Sequence, residues 1–241
     1  MRSLVLCYHA VTATWDDPLA LAPETIERQV RFLLRCGYRP VDAVSALANE
    51  RRALHVTFDD AFCNVSAVLP ALRRLGLRVT IFACTSFAED GRAFYVPELQ
   101  GRLPPRHEEL TTMAWDALRE VAGQGVEIGS HTVSHPHLTQ LADAELCAEL
   151  VESKQRLEDE LGQQCRVLAY PYGDDDARVH AAARAAGYQA AFSLRGRAGA
   201  LDRFALPRVD VYRGDGAGRF ALKVSPLRAA ALRARAAVSG G

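Results

Sequence analysis

ALHVTFDDAFCNVSAVLPALRRLGLRVTIFAC, residues 53–84, reads as a strand, a helix and a second strand in one stretch. ALHVTF is short, apolar and rich in strand formers; VSAVLPALRRLG spaces apolar residues at helical intervals and stops at Gly76; RVTIFAC is strand-like again. A strand, a helix and a strand in this order make a crossover unit with the two strands parallel. The alternation extends in both directions. Upstream lie SLVLCYH (3–9) and PETIERQVRFLLRCG (23–37). Downstream come WDALREVAGQG (115–125), VEIGSH (126–131), DAELCAELVESKQRLEDELG (143–162), CRVLAYPYG (165–173), RVHAAARAAG (178–187), YQAAFSL (188–194) and RFALPRVDV (203–211). Repeated strand-then-helix predicts an α/β fold with parallel strands, as a barrel or a doubly wound sheet, and reactive groups where strands end.

The chain has 241 residues, 49% hydrophobic and 24% charged, which suits one sizeable domain. That domain is expected over 1–225, followed by an Ala/Arg-rich tail at 226–241 that reads as a fraying surface helix. Lys plus Arg and Asp plus Glu both total 29, so no broad electrostatic field for nucleic acid or an anionic membrane is expected. No run approaches transmembrane length, and the start, MRSLVLCYHAV, lacks the features of a secretory signal. Cys7, Cys36, Cys63, Cys84, Cys147 and Cys165 are scattered without a CxxC pair. Together these features point to a reducing cytoplasm. Oligomeric state cannot be read from the sequence. One segment breaks the rhythm: SFAEDGRAFYVPELQGRLPPRHEEL, residues 86–110, has no sustained period and is expected to be a substrate-facing loop.

Asp59 and Asp60 sit side by side where a strand-like run ends. Adjacent carboxylates repel and are costly to bury, so a compensating positive group is expected. After VEIGS come His131 and His135, spaced so that one helical turn would place both on one face. Two histidines and one carboxylate make a facial triad that suits a divalent metal holding water. If Asp60 ligates, Asp59 stands beside the metal as an anionic base, and the cation offsets the repulsion. A third strand-end segment, Ala169-Tyr170-Pro171-Tyr172-Gly173, reads by itself as a Pro-Gly turn.

Taken together, TFDD, HTVSH and YPYG, in this order, resemble the polysaccharide deacetylase family, the NodB-homology carbohydrate esterases, over roughly Leu4 to Val211. The resemblance implies a distorted (β/α)7, TIM-like barrel with a zinc-type metal, cobalt or nickel being alternatives, held by Asp60, His131 and His135. It also implies Asp59 as general base and the Tyr172 backbone N–H as an oxyanion donor. The implied reaction is removal of an N-acetyl group from an amino-sugar glycan or glycoside, the partner being a carbohydrate that carries an acylated amine. Many relatives carry a general-acid histidine near the C-terminus, but the last histidine here is His180. VLCYHAV resembles rearranged members whose corresponding strand lies at the N-terminus, which makes His9 the candidate acid. Many relatives also place an arginine where this chain has Ala169; Arg208 in LPRVD is the candidate replacement, and Asp210 the candidate partner of His9. Two other readings stand beside the deacetylase: a deformylase or other small-amide hydrolase on the same site, and a catalytically silent carbohydrate-binding barrel. Phe94, Tyr95 and Trp15 are candidates to stack on a sugar ring or to cover the core, His137 is expected at the rim, and Thr111 or Thr112 is expected to cap the helix that Trp115 begins.

Overall fold

The computed structural model describes residues 3–46, 51–194 and 202–225; the predicted tail at 226–241 lies outside them. In chain order its strands and α-helices are β1 (Leu4–Tyr8), α1 (Pro23–Arg35), β2 (Arg39–Pro40), α2 (Ala43–Ala46), β3 (Ala53–Phe58), α3 (Leu69–Arg74), β4 (Val79–Ala83), α4 (Thr85–Ala88), α5 (Trp115–Gly123), β5 (Glu127–Ser130), α6 (Asp143–Leu161), β6 (Val167–Ala169), α7 (Ala177–Ala185), β7 (Ala190–Ser193), β8 (Leu206–Pro207), β9 (Val209–Asp210) and α8 (Ala217–Lys223).

Every strand pairing is parallel, in the order β8-β7-β6-β5-β4-β3-β1-β9, with β2 also on β3. The two ends of that path, β8 and β9, are separated in the chain by Arg208 alone, so the sheet comes round on itself there. Counting the interrupted stretch 206–210 as one strand, the ring has seven staves: β1, β3, β4, β5, β6, β7 and this composite. The chain is therefore a single-domain, nearly closed TIM-like barrel. β1 and β3 are buried at every position. That follows from strands covered by helices outside and by side chains inside, which read as near-continuous apolar runs.

Side chains two apart on a strand share a face. Through the register, Val5 and Cys7 fall in line with His55 and Thr57, Thr57 with Thr80, and Phe82, two along from Thr80, with Gly129. The inner cluster includes Val5, Phe82, Val167, Ala169, Ala190, Phe192 and Leu206. Gly129 is required by close approach, since a Cβ there would stand 2.5 Å from the Phe82 ring. The larger core lies between strands and helices, where α1 buries Ile26, Val30 and Leu33 and α6 buries Leu146, Leu150 and Leu157, each set at helical spacing. At roughly 1.5–3 kcal/mol for each fully buried large aliphatic side chain, this outer layer supplies much of the driving force for closing the ring.

The irregular segment 86–110 is an ordered cap over the C-terminal ends of the strands. It holds α4 and short 3-10 turns at Pro97–Leu99 and His107–Leu110, and it buries Phe94, Val96, Leu99 and Leu110. Trp15 is buried with its indole N–H on the Arg102 carbonyl at 2.8 Å, and Asp17 takes a two-pronged bond from Arg102 at 2.8 and 2.9 Å. Phe94 and Trp15 therefore cover the core, whereas Tyr95 is 54% exposed. The expected threonine cap is not formed: Ala114 is the N-cap of α5, and the Thr112 hydroxyl donates to the Arg92 carbonyl at 2.9 Å because its segment bridges back to Phe62 instead of entering the helix.

Candidate active site

The C-terminal ends of the strands bring four loops together. Asp59 and Asp60 follow β3, His131 follows β5, Tyr172 lies in the turn after β6, and Arg208 occupies the closure between β8 and β9. The backbone there is bent sharply. Asp60, Ala61, Thr132, His135 and Tyr172 all have positive φ, and among the described non-glycine residues only Arg52 does so elsewhere. Such conformations cost on the order of 1–3 kcal/mol each and persist only where surrounding structure enforces them.

For HTVSH the enforcement is visible, and it is not helical. The Ser130 hydroxyl accepts from the Thr132 N–H and the Thr132 hydroxyl from the His135 N–H, both at 3.1 Å. Glu149, on α6, accepts from the Val133 N–H at 2.8 Å, the Ser134 N–H at 3.0 Å and the Ser134 hydroxyl at 2.6 Å. The two imidazoles converge because this carboxylate holds a tight turn, not because a helix places them four apart. Nothing local to the sequence marks Glu149, which lies on a different element, six residues into α6.

His131 and His135 are buried, with Asp60 between them. The His131 Nε2 lies 3.6 Å and the His135 Nε2 3.5 Å from the same Asp60 oxygen, which is itself buried without a hydrogen-bond partner. Those separations are long for hydrogen bonds. They suit donors that each stand about 2.0–2.2 Å from one tetrahedrally coordinated ion, which puts the donors about 3.3–3.6 Å apart. The Nδ1 of His131 meets the Ala169 carbonyl at 2.7 Å, a bond that assigns the proton to Nδ1 and leaves the Nε2 lone pair facing Asp60. Burial lowers the His131 pKa to about 4 and, with the neighbouring His131, takes His135 well below the ordinary range, so both are neutral and able to ligate. Burial and then the Asp59 charge push Asp60 well above the usual carboxylate range in the absence of a cation. The donor set fits a divalent ion.

Asp59 has different partners from its neighbour. Arg208 grips it with two parallel bonds of 2.6 and 2.7 Å, both side chains buried, and also donates to the Thr57 hydroxyl at 3.1 Å. Burial favours the neutral acid, but the guanidinium and His131 outweigh it and hold the carboxyl well below its ordinary range. Arg208 thus stands beside Asp59 from the closing strand, whereas the Ala169 position contributes only its carbonyl to His131. Cys7, on β1, adds a thiol at 3.4 Å from Asp59.

His9 follows β1, with one ring nitrogen grouped within 4.8 Å of Asp59 and Cys7 ligand atoms. Its Nδ1 is buried without a partner, and burial lowers its pKa. No hydrogen bond joins it to Asp210: strand pairing sets Asp210 opposite Cys7, and the Asp210 carboxylate accepts from the Tyr212 hydroxyl at 3.1 Å while its other oxygen is unpartnered. Tyr172 has its ring 4.5 Å from that of His135, edge-on, and His137 stacks on it at 4.0 Å. His137 is at the rim, 37% exposed. His180 is set apart from this group and bonds Asp175 at 2.7 Å.

YxkH of Bacillus subtilis (strain 168), a nominal polysaccharide deacetylase, is 24% identical over 93% of this chain and 76% of its own. Among solved structures, the Streptococcus pyogenes deacetylase PplD in complex with acetate superposes with a TM-score of 0.76 at 21% identity, covering 94% of this chain and 99% of its own. A de-N-acetylase from Aggregatibacter actinomycetemcomitans gives 0.75 at 18% identity, over 93% and 100%. At these identities the superpositions speak for a shared fold. The polysaccharide deacetylase family profile matches residues 47–191, well over half of the sequence and the part that carries both aspartates and both histidines, and the chain belongs to that family.

Proposed function

We propose that the protein is a divalent-metal-dependent hydrolase that removes an N-acetyl group from an amino-sugar-containing glycan or glycoside. The observation that carries this reading is the pairing of two unlike aspartates: Asp60 faces two neutral imidazoles and has an orphaned oxygen, while Asp59 beside it is held anionic by Arg208. A silent binding barrel has no use for the second arrangement. Asp60, His131 and His135 would hold the ion, zinc being the first choice for one carboxylate and two imidazoles and cobalt or nickel acceptable in the same set. Bound there, the ion supplies Lewis acidity that polarises the scissile carbonyl and acidifies water.

The chain's own groups do the rest. Asp59, oriented by the guanidinium, receives the proton of the attacking water; its pairing with Arg208 lowers its basicity but fixes its geometry. The Tyr172 backbone N–H faces the negative charge that develops on the carbonyl oxygen. Its left-handed turn supports this role, since the turn's own hydrogen bonds are made by the N–H groups of Gly173 and Asp174. His9, which follows β1 on the side of β3 away from β4, β5 and β6 in the sheet order, hands a proton to the departing amine.

Purified protein is expected to release acetate from N-acetylglucosamine oligomers, to lose that activity on chelation and to regain it with zinc or cobalt. Bound metal without acetate release, but with turnover of formylated substrates, would replace the acyl group in this reading; no metal and no turnover would end it. His9→Ala is expected to slow amide hydrolysis by about 10²–10⁴-fold and to slow an activated ester far less, because a good leaving group needs little protonation. Equal losses on both substrates, measured side by side, would assign His9 a packing role.

A further inference from the structure

Glu98 lies in the cap, in the 3-10 turn Pro97–Leu99, 74 residues from the turn that holds Tyr172. Its carboxylate nevertheless reaches two side chains at the rim of the site. One oxygen accepts from the Tyr172 hydroxyl at 2.8 Å, and the other lies 3.3 Å from the His137 Nε2. The same two rings are stacked on each other, 4.0 Å between centroids and 16° between planes. Tyr172 is thus held at its tip by Glu98, on one face by His137 and, edge-on, by His135.

What this clamp acts on is a backbone that L-residues avoid. Tyr172 has φ 58 and ψ 5, left-handed, and an unrestrained tyrosine would leave that region. The cap is itself a firm mount. The Phe94 N–H bonds to the Leu110 carbonyl at 2.7 Å, the Phe94 ring abuts His135 at 5.1 Å, and Arg102 is pinned to buried Asp17. Anchors before and after Glu98 therefore fix the segment from which its partly exposed side chain reaches Tyr172.

We propose that Glu98 is a positioning residue for catalysis: by holding the Tyr172 side chain it keeps the Tyr172 peptide N–H where the oxyanion forms, and so makes the cap part of the catalytic apparatus. The inference rests on the hydrolase reading above. Oxyanion donors act through position, and a displacement near 1 Å can cost about a hundredfold in rate.

The test compares wild type, Glu98→Ala, Glu98→Gln, Tyr172→Phe and the Glu98→Ala/Tyr172→Phe double variant for kcat and KM of acetate release, with bound metal measured on each. Glu98→Ala is expected to lower kcat by at least about tenfold with KM and metal content unchanged. Glu98→Gln, which keeps an acceptor for the hydroxyl, is expected to recover most of the loss. Tyr172→Phe breaks the same bond from the other side, so the double variant is expected to be no worse than the poorer single one. A rise in KM alone would make Glu98 a substrate contact and overturn the proposal, as would additive losses, a loss of metal, or wild-type kcat in Glu98→Ala.

A second readout does not depend on turnover. In protein labelled with ¹⁵N-tyrosine, the Tyr172 amide signal, assigned by its absence in Tyr172→Phe, is expected to move in Glu98→Ala and to return in Glu98→Gln. If wild type releases no acetate while the signal behaves this way, the hydrolase reading fails and the clamp stands. An unmoved signal removes the clamp whatever the activity.

Discussion

Asp59→Asn is expected to retain the metal and lose at least about a hundredfold in kcat, whereas Asp60→Ala is expected to lose both. The two residues are adjacent in the chain and similarly buried, so burial alone gives no reason for different outcomes. Their partners do. Asp60 shares one oxygen with His131 and His135, and removing that oxygen takes away one of three donors. Asp59 is engaged by Arg208, and the amide in its place leaves the donor set intact while ending its capacity to take a proton. Bound metal by mass spectrometry and acetate release on the same samples separate the cases. Asp59→Asn also weakens a buried ion pair, so its melting temperature must be known and the assay run well below it. Metal-replete Asp59→Asn turning over at the wild-type rate would remove Asp59 as the base; Asp60→Ala with full metal content would remove Asp60 as a ligand.

The same contrast answers the puzzle of two adjacent carboxylates. Each has its own compensation: Asp59 has a guanidinium, and Asp60 has either a bound cation or a proton. Half of this was legible in the sequence. The strand-then-helix period placed both aspartates at a strand end and both histidines at another, and parallel topology puts such ends on one rim. Arg208 was legible only as a candidate, because its value depends on where the ring closes, and two-residue strands on either side of it leave almost no periodic signal. The histidine spacing was legible but its usual explanation was not the operating one. HxxxH here is a left-handed turn braced by Glu149, a long-range partner that no local pattern announces. Glu98 escaped notice for the same reason, set in an aperiodic stretch whose order comes from Trp15, Asp17 and Leu110 rather than from its own period.

Arg208→Met is expected to cost about 3–5 kcal/mol of stability at neutral pH, the largest effect on folding of any single change at the site. Methionine fills a similar volume and can still lie against Phe82, on whose ring the guanidinium now rests at 5.4 Å, so packing is largely kept. What remains is an aspartate buried without its cation. The pH dependence identifies the cause, provided it is measured after chelation so that Arg208 is the cation in question. In wild type the Asp59 pKa is depressed, so the pair contributes stability above the ordinary carboxylate pKa of about 4 and loses it as pH falls through the lower, folded-state value. In Arg208→Met the largest charge opposing burial is gone and the pKa rises, so the contribution of Asp59 is at its best below about pH 4 and is lost as pH rises. The difference in melting temperature between the two proteins should therefore be wider at pH 7 than at pH 4 and narrow further as pH falls through the depressed folded-state value. A constant difference would mean that Arg208 matters through packing at the seam of the barrel; a difference that widens towards neutrality means that the residue closing the ring is also the one that keeps the base charged.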